Sequence, residues 1–229
     1  MEKKISIAID GPAAAGKSTV AKNLAAKLSI VYIDTGAMYR ALTYKALQNQ
    51  VDIHKEDEIA ALLDKTIIRL YHREDGQRVL LDDEDVTEAV RSEKVSNAVS
   101  YVASHQKVRE HMVKEQQNLA NNISVIMDGR DIGTHVLPNA EVKIYLIASV
   151  VERAERRHKE NLAKGEPSDL NELIEDIRNR DERDMTREIS PLVKADDAIS
   201  IDTTSMSIDE VMEKILHIVL EYQHDEEKK

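Results

Sequence analysis

Residues 11–19 read GPAAAGKST, and no other stretch restricts the fold as much. Gly11, Gly16, Lys17 and Ser18 fill every fixed position of G-x-x-x-x-G-K-S/T. Such a loop works only between a buried strand and a helix. Its glycines let successive backbone N–H groups curl around phosphate oxygens, and the helix behind aims its positive end at the same anion. The flanks meet that demand. Residues 4–9, KISIAI, are a short Ile-rich run. Residues 17–28 carry Val20, Leu24 and Leu28 at helical spacing. Chance alone would place the four fixed residues in a chain this long on the order of once in a hundred. The loop Gly11, Pro12, Ala13, Ala14, Ala15, Gly16, Lys17, Ser18, Thr19 is therefore read as a cradle for a nucleotide's phosphates. Lys17 reaches the β/γ oxygens, and the Ser18 hydroxyl is placed to join a Mg²⁺ shell.

The rest of the chain extends this strand–loop–helix start into an α/β fold. Apolar runs at 30–33, 123–127, 142–148 and 198–201 read as further strands, with helical patterns between most of them. Alternation of this kind predicts a parallel sheet. A last helix is expected from about residue 208, behind a Ser207–Glu210 capping box. Two segments break the alternation. Residues 66–86 hold two strand-like runs around Asp75-Gly76, a hairpin signal, followed by a helical pattern at Val95, Ala98, Val99 and Val102. Residues 152–187 are rich in charge, with Gly165-Glu166-Pro167 as a break. They read as two exposed helices joined by a mobile loop. Arg153, Arg156 and Arg157 would form one stripe, and Arg180, Arg183 and Arg187 a second. The alternative is a solvated face laced with i,i+4 ion pairs such as Arg180–Asp184.

Charge and composition narrow what the nucleotide is for. There are 32 Lys plus Arg against 43 Asp plus Glu, a net charge of −11, with no Trp and no Phe. A basic stripe with stacking aromatics, as a nucleic-acid motor needs, is missing. Anionic membranes are disfavoured for the same reason, and residues 1–11 are neither a signal peptide nor a span. No Asp is followed three residues later by Gly and there is no N-K-x-D, so the GTPase switch signature is absent. Without Cys there is no disulfide, which fits a cytoplasmic location. No heptads are visible, and a monomer is expected. A small-molecule kinase needs a second anion site and a device that excludes water. Arg40, Arg109, Arg130 and Arg187, read at element ends or in loops, are candidates for the first, with Arg40 taken to open a helix after DTGAMY. Residues 152–187 are a candidate for the second, as an Arg-rich lid.

The segments AIDGPAAAGKST, YIDTGAMYRA, MDGRDIGTHVLPNA, RDERDMTREISPL and AISIDTT together resemble the bacterial cytidylate kinases, from about residue 4 to 222. The resemblance implies a P-loop NTPase-type core, a five-stranded parallel sheet with an inserted monophosphate-binding subdomain and a helical lid. The core would be residues 1–36, 106–151 and 188–229, the insert 37–105 and the lid 152–187. It implies that residues 11–19 hold ATP, with Mg²⁺ as cofactor. Arg40, Arg130 and Arg187 would grip the acceptor's phosphate, and Ser100, Arg109 and Asp131 would read cytosine. Arg180 and Asp184 would hold the ribose, with Thr35 and Tyr39 in the same pocket. Arg156 and Arg157 would be the lid's contacts to the transferring phosphoryl group, acting with Lys17 and Arg187. One departure concerns the loop: Ala14-Ala15 stands where glycine is common. If residue 14 requires a positive φ, Ala there carries a strain of about 1 kcal/mol.

The implied reaction is transfer from ATP to CMP or dCMP, giving CDP or dCDP. The acceptor oxygen belongs to a phosphate already mostly ionised at neutral pH, since its second pKa is about 6. No general base is then required, and His135 is read as a plain loop residue. A kinase of the same architecture acting on another monophosphate, such as UMP, is the alternative. A nucleotide-binding regulator without catalysis is a third reading, separated by an ADP-release assay.

Overall fold

The computed structural model describes residues 4–73 and 76–228. Asp75, part of the expected hairpin signal, lies outside the described residues. Five parallel strands form the central sheet in the order β2-β6-β1-β7-β8. They are β1 (Ser6–Asp10), β2 (Val31–Asp34), β6 (Val125–Gly129), β7 (Val142–Ile147) and β8 (Ile199–Asp202). All five strands expected from the apolar runs are present. Alternation persists inside the buried β1. Ile7 and Ile9 face one layer with Val20, Leu24, Val211, Ile215 and Val219 of α1 (Lys17–Leu28) and α8 (Ile208–Glu227). Ala8 faces the other, with Ile33, Met127 and Ile132. The capping box is formed: Ser207 N–H donates to Glu210 at 2.8 Å, and Glu210 N–H donates back to Ser207 Oγ at 3.3 Å.

Register brings the polar strand ends together. Asp10 of β1 lies opposite Gly129, and Asp34 of β2 opposite Asp128. Ligands of open α/β sheets bind at this carboxyl edge. Helix α2 (Thr35–Gln48) starts directly after β2, with the Asp34 side chain accepting the Ala37 N–H. Arg40 therefore sits in the second turn of α2 instead of opening it, because the Asp34 cap starts the helix five residues earlier.

The segment after α2 folds around its own apolar clusters. Met38 and Leu42 pack with Ile59 of α3 (Glu56–Leu63), Val99 of α4 (Glu93–Val102) and Met112 of α5 (Gln106–Ala120). Ala37 and Ala41 pack with Val79 and Leu81. The hairpin is there, as β3 (Ile68–Arg73) and β4 (Gly76–Leu81) in antiparallel pairing, with a short third strand β5 (Glu84–Asp85) added. Residues beyond β7 form α6 (Val150–Ala163) and α7 (Leu170–Thr186), which pack on each other. The two predicted Arg stripes do not survive intact. Arg153 is buried at 3% exposure, and Arg187 lies past the helix in extended backbone. Arg180 and Asp184 make no direct pair: Asp184 is taken by Arg130 at 2.8 Å, while Arg180 reaches Ser96 O at 3.5 Å.

Candidate active site

One cleft of 610 Å³ opens at the carboxyl edge of the sheet. Every site residue expected from the sequence lines it except Gly11 and Pro12. Those two lie behind it. Gly11, at φ 150°, presses against Leu146 O, where a β-carbon would come within 2.4 Å. Gly16, at φ 84°, is the left-handed residue before α1. Ala14 has φ 58°, so the strain expected for a non-glycine residue there is present.

At the loop end, Lys17 Nζ is folded onto Pro12 O at 2.6 Å. Burial, with Arg130 nearby, pulls its pKa well down from the usual lysine value. Asp128 accepts from Ser18 Oγ at 2.8 Å and from the Tyr32 hydroxyl at 2.7 Å. Burial and the neighbouring Asp34 push that carboxyl up. Ser18 and Asp128 thus offer two hard oxygens side by side. That donor set fits Mg²⁺, which uses one or two protein oxygens and takes the rest from phosphates and water. Thr35 Oγ1 donates to Asp128 O at 2.7 Å and fixes the strand end.

At the other end the cleft is walled by guanidinium groups. Arg40 pairs with Asp34 at 2.6 Å. Arg130 and Arg187 flank Asp184, at 2.8 and 3.6 Å. Arg109, only 2% exposed, pairs with Asp131 and lies 5.3 Å from the Tyr39 ring centroid. Burial drives Asp184 up, but Arg130, Arg180 and Arg187 outweigh it and hold the carboxylate below its ordinary range. Burial and Arg130 bring Arg180 down to about 10. Tyr39 is pushed up to about 12 by burial. Several donors in this wall are buried without a hydrogen-bond partner: Arg40 Nε, Arg109 Nε, Arg180 Nε, the Tyr39 hydroxyl and Arg187 Nη2, which lies 3.9 Å from Asp131 Oδ1. Orphaned buried donors are rare in folded proteins. All five residues line the one cleft, so these N–H and O–H groups are available to an acceptor-rich ligand.

Arg156 and Arg157 line the cleft from α6. Arg156 is pinned to Thr203 O at 2.6 Å, and Arg157 pairs with Glu160 at 3.6 Å. His135 is exposed in the turn Ile132–Val136, next to Thr134, consistent with its reading as a loop residue.

The cytidylate kinase family model matches residues 7–221. The chain belongs to the cytidylate kinase family. A cytidylate kinase from Anoxybacillus flavithermus is 62% identical over 221 residues, covering 96% of this chain and 98% of that one. One from Bacillus subtilis is 61% identical over 219 residues, again covering 96% and 98%. In fold, the chain is similar to the crystal structure of an uncharacterized protein from Eubacterium ventriosum, with TM-score 0.51 at 14% identity, covering 95% and 98%. As a member of this family the protein is a kinase with a nucleotide donor.

Sequence reasoning missed several lining residues of this kinase. Asp128 ends the apolar run ISVIMD; a carboxylate closing a buried strand was the available signal. Asp34 ends the β2 run in the same way. Arg91, 3.8 Å from Asp34, carries no local signal. Arg183, read from the sequence as part of a helical stripe, stands just outside the lining and donates to Ser100 Oγ at 3.0 Å. Among the described residues no helix is long and apolar enough to cross a membrane.

Proposed function

We propose that the two ends of the cleft bind ATP and CMP head to head, for direct in-line transfer of the γ-phosphoryl group. The observation that carries the reading is that buried donors without hydrogen-bond partners line the same cavity as the phosphate loop. Arg40, Arg130 and Arg187 hold the acceptor phosphate, with forks suited to its oxygens. Cytosine presents an N4 amine beside the N3 and O2 acceptors. The Asp131 carboxylate accepts from N4, and Arg109 donates to N3 or O2. Ser100 adds a hydroxyl, and Arg180 and Asp184 hold the ribose, in CMP and dCMP alike. Uracil inverts the first two features, leaving Asp131 against an acceptor and Arg109 against an N–H. That disfavours UMP as the main acceptor.

No residue is assigned as general base, since the attacking phosphate oxygen is already ionised. Lys17 leaves Pro12 O for the β/γ oxygens, and Arg156 and Arg157 turn from Thr203 and Glu160 toward the transferring group. This neutralises charge where it develops. Ser18, with Asp128 beside it, would hold Mg²⁺, which would supply further neutralisation of the phosphate oxygens. Residues 37–105 serve as the acceptor-binding insert and 152–187 as the lid that excludes water. The protein is assigned to the cytoplasm, acting as a monomer without nucleic acid. The test is ADP release with ATP and Mg²⁺ across a panel of nucleoside monophosphates. CMP and dCMP should lead; a panel led by UMP or AMP would overturn the base assignment.

A further inference from the structure

Helices α6 and α7 each hydrogen-bond the phosphate loop at Ala13. Arg153 Nε donates to Ala148 O at 3.0 Å, and its Nη1 donates to Ala13 O at 3.0 Å. The same Nη1 lies 2.6 Å from Asp181 Oδ2. The other carboxylate oxygen of Asp181 accepts the Ala13 N–H at 3.2 Å. Both backbone polar groups of Ala13 are thus held by one ion pair, with one partner from each helix. Arg153 and Asp181 are 3% and 8% exposed, and neither lines the cleft.

Two further facts give this clamp a purpose. Its neighbour Ala14 is the non-glycine residue at φ 58°. A strained backbone of this kind persists only where its surroundings over-determine it. Asp181 also lies on α7 between Arg180 and Asp184, which line the acceptor end. A shift of α7 toward a bound acceptor would be felt at Ala13, and a reordered loop would be felt by α7. A buried ion pair adds little to stability over apolar packing, so its geometry is the feature that needs explaining.

We propose that Arg153 and Asp181 are positioning residues that lock the Ala13–Ala14 backbone of the donor loop to the helix carrying the acceptor contacts. Filling one nucleotide site then raises affinity at the other. This rests on the reading of the cleft as a donor and an acceptor site. By linkage the effect is reciprocal.

The test is calorimetric binding of a non-hydrolysable ATP analogue to the whole protein, with and without saturating CMP. In the wild type CMP tightens the analogue on the order of fivefold or more, the low end of ordinary coupling. In Asp181→Ala that factor falls to about one, while affinity for CMP alone changes little. In kinetics the variant's KM for ATP rises more than its kcat falls. A thermal melt confirms that it is folded. Should Asp181→Ala fail to fold, Arg153→Lys serves. It keeps the charge facing Asp181 but has one nitrogen where Arg153 uses two, and it should lose part of the coupling. Undiminished coupling in the folded variants, or none in the wild type, overturns the positioning role. A wild type that binds neither nucleotide would remove the cleft reading, and the proposal with it.

Discussion

The two ends of the cleft are built by different means. The donor end is nine consecutive residues whose backbone is arranged by Gly11, Gly16 and a strained Ala14, with one cation, Lys17. The acceptor end is side chains alone, brought from α2, α4, α5, the turn after β6, α7 and the segment beyond it. Backbone N–H groups recognise phosphate and are indifferent to what is attached to it. Side chains at fixed spacing can tell one base from another. On the proposed reading the difference teaches where selectivity resides: the loop would hold any nucleoside triphosphate's phosphates, and the acceptor wall would decide what is phosphorylated.

The largest effect that could break this contrast is at Lys17. Lys17→Ala should lower kcat by on the order of a thousandfold for every acceptor alike, because it removes charge neutralisation from the shared step. Circular dichroism should show an intact fold. A folded variant with near wild-type turnover would take the donor role from the loop.

A smaller effect concerns Asp10, the last residue of β1. Its carboxylate accepts the N–H groups of Ile132 and Gly133 at 2.8 and 2.7 Å and so places the turn beside Asp131. Burial pushes it up to about 7 from the ordinary 3.8. A raised folded-state pKa gives stability that is present below the unfolded value and lost as pH rises through the folded one. Asp10→Asn should therefore gain on the wild type by about 2 kcal/mol between pH 5 and pH 8. Denaturant melts at both pH values measure this, and parallel profiles would contradict it.

The smallest effect sharpens the donor end. If backbone shape is what matters at residue 14, Ala14→Gly relieves the positive φ at some cost in unfolded-state entropy. A net gain of about 0.5 kcal/mol is expected, with turnover kept. Loss of stability would mean that the Ala14 methyl group contributes packing.

This contrast also explains what could be read from the chain. The donor end was legible because its parts are contiguous and its flanks must be a strand and a helix. The five strands were legible because buried parallel strands are nearly continuous apolar runs. Of the acceptor wall, Arg40, Arg109, Arg130 and Arg187 were candidates for an anion site by position, while their separate roles, and Ser100, Asp131 and Asp184 as ligand contacts, came only by resemblance. Nothing local distinguishes Arg109, buried against Tyr39, from a solvated arginine on an amphipathic helix. Arg153 shows the converse. Its spacing placed it in an exposed stripe, yet the packing of α6 on α7 and the loop buries it, and no periodicity carries that information. Arg91 became visible once the insert had folded beside the core.

The most direct measurement compares Asp131→Ala with Arg40→Ala by kcat/KM for CMP and for UMP. Each mispaired buried group costs roughly 1–3 kcal/mol, so the wild type should favour CMP by on the order of a hundredfold or more. Asp131→Ala should lower CMP use strongly and draw the CMP/UMP ratio toward one. Arg40→Ala should weaken both acceptors alike, since both carry the phosphate it would hold. An unchanged ratio in Asp131→Ala, or an altered one in Arg40→Ala, would contradict the division of the acceptor wall into base-reading and phosphate-holding groups.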